Sequence, residues 1–264
     1  MVERITITIK KDVLRRVDSM IDGREIRNRS HAIESLLAKS MSGGLETALI
    51  MAGGQPAGKA LVPVAGRPAL EHHIDMLRSH GITNIVIASD YAEKIRQYFG
   101  SGRAYGVEIT YLAEDKPLGS AGAIGTMGDY TDGSFLMVNA DTLMDPNIHE
   151  IYEFHKKQRK LATVMLTTTE DPSHFGVVKM RGNQILRFEE KPRLSADVSR
   201  LVNAGLCIFD KKVCSMVPKR KIMIEELFNR LCRQGQLSGF IHDGIALDIG
   251  TKEGYERAVR EWKG

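Results

Sequence analysis

The sequence predicts an α/β protein, with a doubly wound, mostly parallel sheet over residues 46–264 and a small strand–helix–helix unit over residues 1–41. Three observations carry that prediction. Beyond residue 46, short apolar runs alternate with amphipathic helical patterns, the arrangement of parallel strands joined by helical crossovers. The composition, 42% hydrophobic and 27% charged over 264 residues, suits a soluble globular chain with one large core. Ser40-Met41-Ser42-Gly43-Gly44 interrupts both patterns, so residues 42–45 read as a linker.

Each element follows from local chemistry. Arg4-Ile5-Thr6-Ile7-Thr8-Ile9 alternates with period two, placing three isoleucines on one face and Arg4, Thr6 and Thr8 on the other. Helical spacing follows over 11–22 and 30–41; Gly23 ends the first helix, and Ser30, with Glu34 nearby, caps the second. In the larger part, strands are expected at 46–51, 84–88, 107–111 and 134–138, with helices at 68–80, 91–99 and 120–128. Right-handed crossovers would then wind them into one sheet, whose ligands bind beyond the carboxyl ends of the strands.

Composition also excludes several classes. No window approaches a membrane span, and the first residues lack the apolar core of a signal peptide, so a cytoplasmic protein without membrane partners is expected. Cys207, Cys214 and Cys232 are an odd count without metal-ligand spacing, which argues for reduced thiols. The net charge of +4 is unevenly placed: residues 1–41 hold nine Lys/Arg against six Asp/Glu, and the rest of the chain holds 28 against 27. His72-His73 reads as a surface pair, Lys156-Lys157-Gln158-Arg159-Lys160 as a solvated helix end, and Phe228 and Trp262 as packing residues.

One strand and two short helices cannot bury enough apolar surface alone at about 40 residues, so the first unit needs a partner. Its pattern, Arg4-x-Thr6-x-Thr8, Asp12-Val13-Leu14 and Asn28-Arg29-Ser30-x-Ala32-Ile33, resembles the ribbon-helix-helix DNA-binding domains, especially those of nickel-responsive repressors. The resemblance implies a homodimer whose paired strands enter the major groove of a double-stranded operator, with Arg4, Thr6 and Thr8 facing base edges. Asn28, Arg29 and Ser30 would then clamp a phosphate at a helix N-terminus. No metal-binding regulatory domain follows, so nickel is not implied.

In the larger part, Ala52-Gly53-Gly54 follows the first strand and Lys59 stands close behind it, a glycine turn and a cation suited to phosphates. Asn139-Ala140-Asp141 and Leu247-Asp248-Ile249-Gly250 each place a carboxylate after an apolar strand, where two oxygen ligands and a nucleotide's phosphates could hold Mg²⁺. Together with Lys59-x-Leu61-x-Pro63-Val64-x-Gly66-x-Pro68, Pro117-Leu118-Gly119-Ser120-Ala121-Gly122, Phe175-Gly176-Val177-Val178, Phe188-Glu189-Glu190-Lys191-Pro192 and Val202-Asn203-Ala204-Gly205, in that order, the segment from 46 to 263 resembles the sugar-phosphate nucleotidyltransferases. The resemblance implies their Rossmann-like fold and a set of roles. Ala52, Gly53 and Gly54 would contact the nucleotide and Lys59 a phosphate, while Glu114, Gly119, Ser120 and Ala121 would border base and ribose. Asp141 and Asp248 would hold Mg²⁺, and Gly176, Glu190, Lys191 and Asn203 would receive the sugar-1-phosphate.

The chain departs from that family at one place. Members carry a longer glycine loop whose Arg grips the departing pyrophosphate, whereas only Gln55-Pro56-Ala57-Gly58 separates Gly54 from Lys59 here. By analogy with a lost oxyanion donor, such an Arg is worth about 2.7–4 kcal/mol in the transition state. The sequence reading is therefore a DNA-binding transcriptional regulator whose larger domain binds an NTP or nucleotide sugar. The alternative is an active Mg²⁺-dependent enzyme that joins NTP and sugar-1-phosphate, its N-terminal unit serving dimerisation only.

Overall fold

The computed structural model describes residues 5–21, 26–41, 44–53, 58–113, 119–193, 198–218 and 220–263. Two helices come first, α1 (Lys11–Asp18) and α2 (Arg29–Met41). They pack together, with Val17 and Ala32 buried, and the Arg29 guanidinium grips both oxygens of Asp18, Nε to Oδ1 at 2.7 Å and Nη2 to Oδ2 at 2.9 Å. The cap of α2 is Asn28 rather than Ser30: Asn28 Oδ1 accepts the His31 N–H at 3.0 Å, the bond an N-cap makes to the third helical residue. Residues 5–10 join no strand ladder within the chain. The strand expected from the alternation at residues 4–9 is therefore not formed among the described residues, because no neighbouring strand pairs with it there.

The larger part runs in the order β1 (Thr47–Met51), β2 (Pro63–Val64), β3 (Arg67–Pro68), α3 (Ala69–Ser79), β4 (Asn84–Ser89), α4 (Ala92–Phe99), β5 (Glu108–Ala113) and α5 (Gly122–Thr126). It continues through β6 (Phe135–Asn139), β7 (Thr142–Met144), α6 (Ile148–Gln158), β8 (Ala162–Thr168), β9 (Gly176–Arg181), β10 (Gln184–Glu190) and β11 (Leu201–Phe209). Last come α7 (Ile224–Arg233), β12 (Leu237–Ile241), β13 (Ala246–Asp248) and α8 (Lys252–Glu261). Every expected strand and helix of this part is present to within a residue or two, save that α5 is cut to Gly122–Thr126 and closed by a 3-10 turn over Met127–Asp129.

Nine strands form one sheet in the order β5-β4-β1-β6-β11-β8-β12-β10-β9. The sheet is mixed rather than mostly parallel. β5, β4, β1 and β6 run parallel, as helical crossovers require, but β11 lies antiparallel between β6 and β8, and the tight turn at Gly182-Asn183 makes β9 and β10 an antiparallel hairpin. Apolar side chains cover both faces. One face packs Leu70, Ile74 and Leu77 of α3 over Ile50, Ile87 and Val138; the other packs Leu227, Phe228 and Leu231 of α7 over Phe135, Val164 and Phe209. Phe228 is fully buried and Trp262 partly so, both as packing residues.

His72 and His73 are buried, not a surface pair, because they lie on the face of α3 turned to the sheet. His72 Nε2 donates to the Val64 carbonyl at 2.9 Å, and its Nδ1 takes the Arg67 Nη2 and Trp262 Nε1 protons at 3.1 and 3.2 Å. That ring ties the β2–β3 hairpin and the segment after α8 to α3. The hairpin itself turns on Ala65 and Gly66, both at positive φ (48° and 79°), the two-residue turn that matches strand twist. The 156–160 cationic run ends α6 as expected, with Lys156 beside Glu153 and Lys160 donating to the Gly235 carbonyl. Cys207 and Cys232 are buried and all three cysteines are free thiols.

Candidate nucleotide and sugar-phosphate site

The chain winds from β1 to β4 and β5 on one side, then returns across to β6 on the other. Open α/β sheets take their ligands at such a reversal, beyond the strand carboxyl ends. Ala52-Gly53 and Asn139-Ala140-Asp141 emerge there side by side, held together by the Ala140 N–H on the Met51 carbonyl at 3.0 Å. Ala52, Gly53, Ala140 and Asp141, together with Lys59 and Ala60, line one small cleft.

Lys59 opens a 3-10 turn, Lys59–Leu61, that starts from Gly58 in the left-handed region (φ 86°) and buries Ala60. This aims Lys59 Nζ at Asp141, 3.7 Å from Oδ2. Asp248 arrives from a separate ribbon, because β13 pairs with β7 in a register that sets Asp248 opposite Thr142, and the Ile249 N–H donates to the Asp141 carbonyl at 2.8 Å. The three groups converge on Gly250. A Cβ there would stand 2.8 Å from Asp248 Oδ1, 3.0 Å from Lys59 Nζ and 3.3 Å from Asp141 Oδ2, so the ends of three charged side chains crowd its bare Cα and a methyl would push them aside. Burial, and then the negative charge of Asp248, push the Asp141 carboxyl above the usual carboxylate range, and Lys59 opposes them in part.

A second constellation lies on the antiparallel half. Lys191 takes positive φ (45°) and its N–H donates to the Phe175 carbonyl at 3.0 Å, which lays Phe175-Gly176 against Glu190-Lys191. Gly176 is needed, since a Cβ would run into the Phe188 ring and stand 2.9 Å from Glu190 Oε2. The Lys191 side chain is 64% exposed, and its ammonium stands 3.9 Å from Glu190 Oε1. Burial and the charge of Glu225 raise the Glu190 carboxyl, against the pull of Lys191. Asn203 shapes the strand that joins the two constellations: its Oδ1 accepts the Gly205 N–H at 3.0 Å, at the register shift in β11. Gly205 (φ 83°) then lies against Asn139 and Thr142, on either side of Asp141.

Gly119, Ser120 and Ala121 pack on the segment that leads into α7. The Ala121 N–H donates to the Ile222 carbonyl at 3.1 Å, and Ser120 Oγ accepts the Ile224 N–H at 2.9 Å. The Ser120 hydroxyl thus satisfies the otherwise uncapped start of α7, a structural duty the sequence pattern does not show. Gly54 and Glu114 lie outside the described residues, as does Arg4.

The N-terminal set is less assembled. Thr6 and Thr8 are exposed, Asn28 is engaged in capping, and Arg29 is held by Asp18, so the three residues expected to clamp a phosphate include two already committed inside the unit. Glu225 is absent from the sequence-based site; its place in the first turn of α7, beside Glu190, reveals it, and its Oε2 is buried without a hydrogen-bond partner. His73 is likewise buried rather than on the surface, beside the Ala140 backbone one residue before Asp141, with its Nε2 lacking a hydrogen-bond partner.

Comparison with known proteins agrees with this fold. The model of the nucleotidyl transferase family matches residues 47–263. A mannose-1-phosphate guanyltransferase of Aspergillus oryzae is 32% identical over 209 residues, 75% of this chain and 56% of that protein. A counterpart in Xenopus laevis is 31% identical over 205 residues, again 75% of this chain and 56% of the relative, so the chain spans little more than half the length of these proteins. Among solved structures, a putative glucose-1-phosphate thymidylyltransferase of Bacillus anthracis superposes with a TM-score of 0.74 at 27% identity, covering 81% of this chain and 94% of that one. The chain belongs to the nucleotidyl transferase family.

Proposed function

We propose that the chain joins a nucleoside triphosphate to a sugar-1-phosphate, releasing pyrophosphate, and that it works as a homodimer through residues 1–41. The observation that carries the reading is the convergence of Lys59, Asp141 and Asp248 on the bare backbone of Gly250, at the reversal of the sheet. Two neighbouring carboxylates, Asp141 lining the cleft and raised in part by the charge of Asp248, are a donor set for a hard divalent cation such as Mg²⁺. Bound there by Asp141 and Asp248, Mg²⁺ would neutralise charge on the nucleotide's phosphates.

The chain's own residues supply the rest. Ala52 and Gly53 let the nucleotide approach the end of β1, and Lys59 pairs with a phosphate. Gly176, Glu190, Lys191 and Asn203 seat the sugar phosphate, with Lys191 on its phosphate and Glu190 on its hydroxyls. An oxygen of that phosphate attacks the α-phosphorus of the nucleotide; the bond to the bridging β-phosphate oxygen breaks, and pyrophosphate leaves with the electron pair. No side-chain nucleophile is needed, since alignment and charge neutralisation carry such a step. The relatives suggest GTP and mannose-1-phosphate as the first pair to try. The shortened loop before Lys59 places more of the leaving-group stabilisation on Lys59.

Exposed apolar side chains support the dimer: Ile5, Ile7, Val13, Leu36 and Leu37 of the first unit all face solvent in the single chain. Pairing of two such units as a ribbon-helix-helix would cover them, and would make the ribbon available to an operator. The DNA-regulator reading has less behind it, because the Asp18–Arg29 pair occupies the expected phosphate-binding arginine.

The test is pyrophosphate release by the purified chain with Mg²⁺, a panel of nucleoside triphosphates and a panel of sugar-1-phosphates. Turnover that disappears in Asp141→Asn and Asp248→Asn supports the reading. Absence of both turnover and nucleotide binding across the panels would overturn it.

A further inference from the structure

We propose that Asp90 is a nucleoside-binding residue whose carboxylate accepts hydrogen bonds from the ribose hydroxyls of the nucleotide held at Lys59 and Asp141. The inference rests on the nucleotide-binding reading above and extends it to the opposite side of β1.

β4 runs parallel to β1 with Met51 opposite Ala88, so Ala52-Gly53 and Ser89-Asp90 leave the sheet side by side. Their exit is fixed by the Ala52 N–H on the Ala88 carbonyl at 2.9 Å and by the Ser89 hydroxyl donating to the Ala52 carbonyl at 3.0 Å. Ser89 Oγ also accepts the Tyr91 N–H at 3.0 Å, which sets the chain direction on both sides of Asp90. The result places Asp90 Oδ1 3.4 Å from where a Cβ of Gly53 would stand. The glycine leaves open space beside a carboxylate.

An Asp between a strand and a helix ordinarily caps the helix. Asp90 does not: the cap of α4 is Tyr91, and no side chain bonds its free N–H groups. Among the described residues Asp90 has no hydrogen-bond or ion-pair partner, and its side chain is exposed. It is a positioned carboxylate without an internal duty.

Its place in the topology says what it could meet. Asp141 follows β6, on one side of β1, and Asp90 follows β4, on the other. Two strand spacings separate them, about 10 Å, a span that a nucleoside monophosphate can bridge with its phosphate toward β6. In dinucleotide-binding sheets the carboxylate after the strand beside the first one accepts a ribose hydroxyl for the same geometric reason. The base, the other hydrogen-bond donor of a nucleoside, is separated from the ribose by the test.

The full chain with Mg²⁺ is titrated calorimetrically with the four ribonucleoside triphosphates and their 2′-deoxy and 3′-deoxy counterparts, as wild type, Asp90→Ala and Asp90→Asn. The wild type should bind its best ribonucleotide on the order of tenfold tighter than the deoxy forms, as expected for a charge-assisted hydrogen bond. Asp90→Ala should abolish that ratio by weakening the ribonucleotide alone, and Asp90→Asn should keep part of it, with melting temperatures unchanged. A ratio in Asp90→Ala equal to that of wild type overturns the proposal, and so does a changed base preference with an unchanged ratio. Failure of the wild type to bind any of the nucleotides would instead overturn the nucleotide-binding reading, and the role of Asp90 with it.

Discussion

The N-terminal unit and the nucleotidyltransferase domain solve the same problem unequally. The domain closes its sheet with helices on both faces and buries side chains as large as Phe135, Phe209 and Phe228 completely. The unit buries Val17 and Ala32 and leaves Ile5 69% and Leu37 53% exposed. The difference teaches where each part's stability comes from. Two helices and an unpaired extended segment have no second layer to cover their apolar side, whereas a sheet of nine strands has two. The larger domain should therefore stand by itself, and the smaller one only as a pair.

The largest effect expected is on chemistry and not on folding. Asp248→Asn should lower turnover by a factor of hundreds or more, the scale on which lost transition-state charge stabilisation is felt. Its melting temperature should hold or rise, because a carboxylate that repels Asp141 is gone. If turnover survives, the convergence on Gly250 is structural only. Gly250→Ala should act in the same direction, since the added methyl meets Asp248, Lys59 and Asp141 at once.

The core makes the next prediction. Phe228→Ala removes a fully buried ring stacked near Phe209 (centroids 6.2 Å apart) and should cost about 3–5 kcal/mol in denaturant unfolding of the larger domain. A loss below about 1 kcal/mol would mean that α7 contributes little to that domain's stability.

Acid should act on the same domain. Burial lowers both His73 and His155 to about 4, so each is neutral in the fold and gains its proton on unfolding. A folded value below the ordinary 6.5 contributes stability that is whole above 6.5 and is lost as pH falls toward 4. Each histidine can contribute on the order of 3 kcal/mol across that window. Asp141 works with the opposite sign, since its raised value favours the protonated fold; above the ordinary 3.8 its contribution is lost as pH rises through the raised value. Chemical denaturation at pH 7, 5.5 and 4.5 checks the balance, and His155→Gln should flatten the curve.

The smallest effect sharpens the comparison most. Leu37→Lys, or Ile7→Lys, should shift the chain from dimer to monomer in sedimentation while leaving the larger domain's melting temperature and turnover nearly unchanged. A parallel loss of turnover would show that the site depends on the pairing of the first unit.

Much of this was legible in the residues. The strands β1, β4 and β6 announce themselves because each is a mostly apolar run of five or six residues between polar turns, β5 by its alternation of polar and apolar side chains, and the order of Lys59, Asp141 and Asp248 along the chain points to their meeting. Other features were not legible. A histidine on an amphipathic helix has the same spacing whether it faces water or the sheet, and His72 and His73 were misplaced for that reason. Ser30 and Asn28 are both good caps, and only the hydrogen bond to His31 chooses between them. An arginine at a helix N-terminus invites a phosphate until Asp18, eleven residues earlier, folds onto it.

The sequence by itself determined the periodicities, the break near residue 42 and the ordered set of glycines and charges, because these depend on near neighbours and on residue type. Tertiary structure alone decided that the sheet is mixed, that Ser120 serves α7, and that Asp248 reaches Asp141 through a two-stranded ribbon with β7. Each of those depends on which distant segment occupies the adjacent strand or turn. That choice is made by burial and hydrogen bonding summed over the whole domain, and no local pattern contains it.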